Sequence, residues 1–290
     1  MNNGDSLSFD ALVPPAMAEK AEQLGIRKAN ADFWTLSVLG VLAGAFVALG
    51  AIFATTVTAG AQGILPYGVT RLLSGLAFTL GLVLVIVGGA ELFTGNMLVI
   101  MAFANRKISL GLVLRNWLIV YSSNFVGSAA TAAIIFISKQ HTFGSGAIGL
   151  NMLNIAESKT ALGFVEALVL GILCNTLVCL AVWLTYSART TTDKIMAIIP
   201  PVAAFVAAGF EHSVANMYFI PVGLMVKQWG SANFFTAIQR TPADFPNLTM
   251  GNFLLGNLLP VTIGNIIGGA VMVGLVYWFV YLRKSLAVKA

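Results

Sequence analysis

Gly209-Phe210-Glu211-His212-Ser213-Val214-Ala215-Asn216-Met217 interrupts an apolar run with an acid, an imidazole and an amide. The same frame stands 120 positions earlier as Gly89-Ala90-Glu91-Leu92-Phe93-Thr94-Gly95-Asn96-Met97. Both copies read Gly-x-Glu, four residues, Asn-Met. A carboxylate at membrane depth is costly unless it finds partners or polar backbone. The two frames are therefore expected to break two membrane-spanning helices and to face one another around a pore.

Working outward, the 290-residue chain has a mean hydropathy of +0.88 and only 9% charged residues, too apolar for a soluble domain of this length. Residues 1–33 are polar and mixed in charge, with no apolar core like that of a cleavable signal. Six apolar segments follow, at roughly 34–58, 70–104, 110–138, 161–186, 195–226 and 248–282. About 20 apolar residues cross a bilayer. The second and fifth segments exceed that, and each holds one copy of the frame. Pro200-Pro201 reads as an extended residue followed by a helix start, leaving about ten residues, roughly 15 Å, before Glu211.

The expected organisation is an N-terminal tail, 1–33, carrying a short amphipathic helix over 11–25 between Pro14-Pro15 and Gly25. A six-helix pore domain, 34–282, and a C-terminal tail, 283–290, complete the chain. Eleven lysines and arginines (Lys20, Arg27, Lys28, Arg106, Lys107, Arg115, Arg189, Lys194, Arg283, Lys284, Lys289) fall on one side of the six spans. Five (Arg71, Lys139, Lys159, Lys227, Arg240) fall on the other, which puts both termini in the cytoplasm. Topology, rather than a nucleic-acid partner, thus accounts for the net charge of +5.

The repeat reaches beyond the opening frame. Asn116-x-Leu118-x-Val120-xxx-Asn124-xx-Gly127 recurs as Asn257-x-Leu259-x-Val261-xxx-Asn265-xx-Gly268, and Leu39-Gly40 echoes in Leu170-Gly171. Halves of about 34–138 and 161–282 with three spans each enter the membrane from opposite sides. The fold class is an all-α polytopic protein built as a 3+3 inverted repeat with broken second and fifth helices.

Several side chains could carry chemistry. Glu91 and Glu211 read either as proton carriers or as acceptors for backbone N–H groups freed at each break, and their symmetric placement favours the second. On that reading a glutamine would serve as well. Asn96 and Asn216 suit the same capping role. His212 has apolar Leu92 as its repeat counterpart, so symmetry does not demand it. Thr94 is the polar residue expected to meet it from the other half. Asn175 and Asn265 are either interhelical glue or pore-lining donors. Phe78, Leu82, Phe93 and Phe205 flank the breaks as candidate apolar constrictions. Gly40-xxx-Gly44 and Gly264-xxx-Gly268 are spaced for close helix approach.

Cys174 and Cys179 read as small buried hydrophobes. Two histidines cannot build a multi-histidine metal site, and no nucleotide-binding or zinc-protease motif is present, so no cofactor, metal or enzymatic activity is expected. The Asn-Pro-Ala pair of aquaporins is missing, because Asn96 and Asn216 are followed by methionine.

Over nearly its whole length the chain resembles the formate/nitrite transporter family, and most of all its formate channels. The resemblance rests on Gly209–Met217, on Glu91-Leu92-Phe93-Thr94, and on Pro260-Val-Thr-Ile-Gly-Asn-Ile-Ile-Gly-Gly269. It implies an aquaporin-like protomer in a homopentamer of the bacterial inner membrane, one pore per subunit, passing formate or a similar small monovalent anion with pH dependence. By position, His212 would be the central histidine with Thr94 and Asn265 beside it. Leu82, Phe78 and Phe205 would form one constriction, and Leu92, Phe93 and Val178 would narrow the cytoplasmic side with Asn175 nearby. Residues 92–95 would be a mobile loop, and 11–25 a helix linked to pH-dependent closure. The alternatives are a nitrite or hydrosulfide channel of the same family, or an aquaporin-type pore for neutral solutes. A histidine of unperturbed pKa about 6.5 would lend the passing anion a proton.

Overall fold

The computed structural model describes residues 10–283, and among them the chain is helical with no strand. Residues 1–9 and the C-terminal tail beyond Arg283, including Lys284 and Lys289, lie outside the described residues. The first half comprises α1 (Pro14–Asn30), α2 (Phe33–Val57), α3 (Tyr67–Gly88), α4 (Gly95–Ala104) and α5 (Leu110–Ile137). The second comprises α6 (Ala147–Thr160), α7 (Phe164–Ser187), α8 (Thr191–Ala208), α9 (Ser213–Trp229), α10 (Ala232–Ala237) and α11 (Asn252–Leu282). Six of these, α2, α3, α5, α7, α8 and α11, are long and apolar enough to cross a membrane.

The packing pairs match between halves. α2 packs on α3 and α5, α7 packs on α8 and α11, and α3 meets α8 across the middle. Glycines permit the closest approaches: a Cβ at Gly44 or Gly127 would overlap the backbone of Asn124 or Val41 between α2 and α5. Gly264 and Gly268 meet Leu168 and Ile172 of α7 in the same way. Side chains any larger would drive these helices apart.

Three local expectations change. The N-terminal helix runs through Gly25 to Asn30 instead of stopping there. Met17, Ala21, Gly25 and Ala29 recur every fourth residue as one buried stripe, and Gly25 serves contact, because a Cβ there would lie 3.2 Å from that of Ala102 in α4. Pro200 and Pro201 lie inside α8, not at its start. That helix begins at a capping box in which the Thr190 hydroxyl accepts from Asp193 N at 3.1 Å and the Asp193 carboxylate from Thr190 N at 2.9 Å. α8 therefore spans 18 residues, about 27 Å at 1.5 Å per residue, rather than half a crossing. Finally, the connection left between the third and fourth apolar segments, 139–160, contains α6, which packs on α9 as α1 packs on α4.

Candidate functional site

Both breaks use one backbone device. α3 and α8 end on Gly89 and Gly209, with φ of +81° and +80°, a left-handed turn that glycine enters without steric cost. The chain then runs extended, and Glu91 N donates to Leu39 O at 3.2 Å as Glu211 N donates to Leu170 O at 3.3 Å. The expected capping role of the glutamates is not what the hydrogen bonds show. The amides that secure the backbone belong to Asn124 and Asn265. Asn124 accepts from Phe93 N at 2.9 Å and donates to Gly40 O and Glu91 O. Asn265 accepts from Ser213 N at 2.9 Å and donates to Gly171 O and Glu211 O. A carboxylate has only acceptors, whereas these sites need a donor as well, so an amide fills them and an acid cannot.

The glutamates and the other two asparagines instead form a charged knot in each half. Glu91 accepts from Lys28 Nζ at 2.9 Å and from Asn96 Nδ2 at 2.7 Å, and Asn96 bridges to Asn116. Glu211 accepts from Lys159 Nζ at 2.7 Å and from Asn216 Nδ2 at 2.7 Å, and Asn216 bridges to Asn257. Asn116 and Asn257 tie each knot back to the carbonyl of its lysine. Each glutamate is thus held in an ion pair and takes an amide N–H as well, the condition under which a buried charge is tolerated.

The halves differ at the centre. His212 Nε2 lies 2.9 Å from Thr94 Oγ1, across the two frames. Its Nδ1 accepts from Ala215 N at 3.0 Å and so caps α9. That bond fixes the tautomer: Nδ1 is bare and the ring proton sits on Nε2, donating to Thr94. Thr94 O in turn accepts from Asn175 Nδ2 at 3.2 Å and from Cys179 Sγ at 3.3 Å. Asn175 also donates to Asn265 O at 2.6 Å, so the four expected polar residues form one connected set.

Two cavities approach this set. One, about 340 Å³, is lined by Lys20, Lys28, Lys194, Glu91, Leu82 and Leu92 among others. Its Lys20 ammonium donates to Tyr186 O at 2.9 Å and is held below the ordinary lysine range by burial, then by the charges of Lys194 and Arg189. The other, about 250 Å³, is lined by Arg71, Lys159, Glu211, His212, Phe78 and Phe205 among others. Phe205 stacks on His212 at 6.0 Å and meets Phe78 edge-on at 5.9 Å, while Phe78 stacks on Phe219 at 6.3 Å. Leu82 thus faces one cavity and Phe78 with Phe205 the other. Phe93 and Val178 are buried and line neither, and Phe93 packs edge-on against Tyr121 at 4.7 Å.

Sequence reading missed Lys28 and Lys159 as partners, Asn124 as a cap, and Phe219 and Arg71 beside the second cavity. A signal for the lysines existed, because Lys28 and Lys159 are separated by the same interval as Leu39 and Leu170.

The profile of the family described as "Formate/nitrite transporter" matches residues 15–279. The chain is 44% identical over 277 residues to the formate channel FocA of Escherichia coli K12, covering 96% of this chain and 97% of the relative. It is 40% identical over 273 residues to the formate channel FocA of Haemophilus influenzae, covering 94% and 96%. A solved structure titled "Pentameric formate channel with formate bound" superposes with a TM-score of 0.82 at 44% identity, covering 87% of this chain and 98% of that one. Another, an "FNT family ion channel", gives 0.74 at 30% identity, with 92% and 98% covered.

Proposed function

The chain belongs to the formate/nitrite transporter family, and from that premise we propose that it is a formate channel that works as a homopentamer with one pore in each protomer. The observation that carries this reading is the near-full-length likeness to formate channels, one of them solved with formate bound. The site fits a small anion. Cations line both cavities, while Leu82, Leu92, Phe78 and Phe205 make the stretch between them too apolar for a hydrated ion. In that stretch Thr94 accepts the His212 ring proton, which leaves its own hydroxyl hydrogen free to donate to a carboxylate oxygen.

In this reading His212 and Thr94 meet the anion, while Asn265 and Asn175, whose amide N–H groups are already given to backbone carbonyls, hold the residues around them in place. A second proton on the imidazole must go to Nδ1, the atom that accepts from Ala215 N. Protonating the histidine and capping α9 therefore exclude one another, which makes proton uptake a structural event at the break. The bacterial inner membrane, cytoplasmic termini and an action of α1 on pH-dependent pore closure belong to the same proposal. α1 supports it by lining the cavity that holds Lys20 and Lys28.

Flux of formate, nitrite, chloride and glycerol into proteoliposomes at about one pH unit above and below 6.5 tests it. Formate is expected to exceed the others, with a rate that depends on pH. His212→Asn retains a hydrogen-bonding group but cannot ionise, and is expected to assemble normally and to lose the pH dependence. Glycerol flux insensitive to pH, with no formate flux, would replace this reading with a neutral-solute pore.

A further inference from the structure

Arg71 has no role in the reading above. It sits half-buried on α3, where its Nε donates to Ala207 O at 3.1 Å and its Nη2 donates to Val206 O. These carbonyls belong to the last turn of α8, where Val206 O also accepts from Gly209 N at 3.1 Å and the helix carries its partial negative charge. The guanidinium lies close over Gly209, where a Cβ would stand 3.3 Å from Nη2. It therefore covers the negative end of the helix that leads into the break. A guanidinium has five N–H groups, so two bonds to carbonyls leave donors for another acceptor.

The charges lining the two cavities make this residue decisive. In the 250 Å³ cavity Lys159 is matched by Glu211, and among the described residues no carboxylate pairs with Arg71, so the guanidinium is the charge left over. The 340 Å³ cavity has Lys20, Lys28 and Lys194 against Glu91, and remains positive after losing any one of them. The position equivalent to Arg71 by the frame's own interval is Thr191, so the arginine serves one face only.

We propose that Arg71 is the anion-selecting residue of the cavity it lines, masking the carbonyl end of α8 and supplying the net positive charge that gathers small carboxylates ahead of Phe78 and Phe205. The inference rests on the chain being a formate channel. A clamp on α8 alone predicts something different, and the variants separate the two roles. Arg71→Gln keeps N–H donors for the two carbonyls without the charge, whereas Arg71→Lys keeps the charge.

Formate flux is measured in membrane vesicles with substrate supplied to one face at a time. Orientation is read from protease accessibility of an N-terminal tag, since α1 lines the opposite cavity. At low ionic strength Arg71→Gln is expected to raise the half-saturating formate concentration about three- to tenfold from the Arg71 face, as for one unit charge at a few ångströms in a solvated site. The other face should not change, high salt should erase the effect, and Arg71→Lys should retain most of the wild-type behaviour. A Gln variant equal to wild type, or equally impaired from both faces, would overturn the proposal. So would a Lys variant as poor as Gln. Should Arg71→Gln fail to assemble, Ser74→Asp adds an opposing charge to the same cavity with Arg71 in place, and must give the same one-sided rise. Absence of formate flux in the wild type would count against the channel reading itself, not against the place of Arg71 within it.

Discussion

Glu91 and Glu211 have the same neighbours in the same order, a lysine on one side and a pair of asparagines on the other, and this decides what their substitution does. Lys159 and Glu211 have 15% and 5% of their side chains exposed, against 30% and 13% for Lys28 and Glu91. Removing one partner of a buried pair strands the other charge, at a cost of about 3–5 kcal/mol in a fully enclosed site and less where water screens it. Glu211→Gln is thus expected to lower thermal stability in detergent more than Glu91→Gln, with Lys159→Met restoring part of the loss in the double variant. Full stability of Glu211→Gln would return the glutamate to the capping role that the sequence suggested. Asn265→Leu should be worse than either, since it orphans one N–H and two carbonyls at about 1–3 kcal/mol each. The pairing was hard to read from sequence because the repeat has no single interval. The frames, the lysines and the asparagine runs each recur at a different spacing, set by connections of unequal length. A second residue, His141, adds a pH effect away from the pore. It is buried between Phe136 and Phe234, each 5.2 Å away, and burial, then the charge of Lys139, holds its imidazole below the ordinary histidine range. The unfolded chain then takes up a proton more readily than the folded one, so the stability contributed is present above about pH 6.5 and is lost as pH falls. His141→Phe should flatten the fall in melting temperature between neutral and acidic pH, and an unchanged slope would count against it.

Among the helices, α1 and α6 are counterparts, each carrying the lysine of its own knot and lying against the helix that follows its own break. A tail helix and the connection after the third apolar segment gave no hint of kinship, because their apolar stripes share no residues and, at the interval of the lysines, only Ala16/Ala147 and the lysine itself recur. The two punctuation residues that misled, Gly25 and Pro200-Pro201, did so for one reason: tertiary contact outweighed local preference. Glycine ends helices when nothing packs on it, but here α4 does. Proline inside a helix leaves carbonyls without donors, which buried helices tolerate when neighbours supply the contacts. The better start signal, Thr190-x-x-Asp193, was present in the sequence all along. If Gly25 exists for contact, Gly25→Leu should lift α1 from α4. Amides of α1 and 95–104 are then expected to exchange faster with deuterium while those of α6 keep their wild-type protection. Wild-type protection of α1 in Gly25→Leu would mean that α1 docks by other contacts.

Across the whole molecule, the six spans and the two breaks were legible in hydropathy and repetition, because a bilayer allows so few architectures. Within the polar centre the Thr94–His212 contact was legible in the paired frames, whereas the bonds that Asn175 and Asn265 make to it were not, since α7 and α11 meet the frames only in three dimensions. Tyr121 and Thr262, equivalent in the repeated asparagine runs, bond each other at 2.9 Å, as two residues do when a two-fold axis passes between them. An axis in the membrane plane puts α1 and α6 on opposite faces. Impermeant thiol labelling of single cysteines is therefore expected to reach 139–160 from outside the cell and 14–30 only after permeabilisation, and labelling of both from one face would reject the inverted arrangement. The lysine–glutamate knots also have a direction in time. Lys28 precedes Glu91 by 63 residues, and Lys159 precedes Glu211 by 52. Each acid therefore leaves the ribosome after its counter-charge has been made, so neither half has to hand the insertion machinery a carboxylate whose cation is still untranslated.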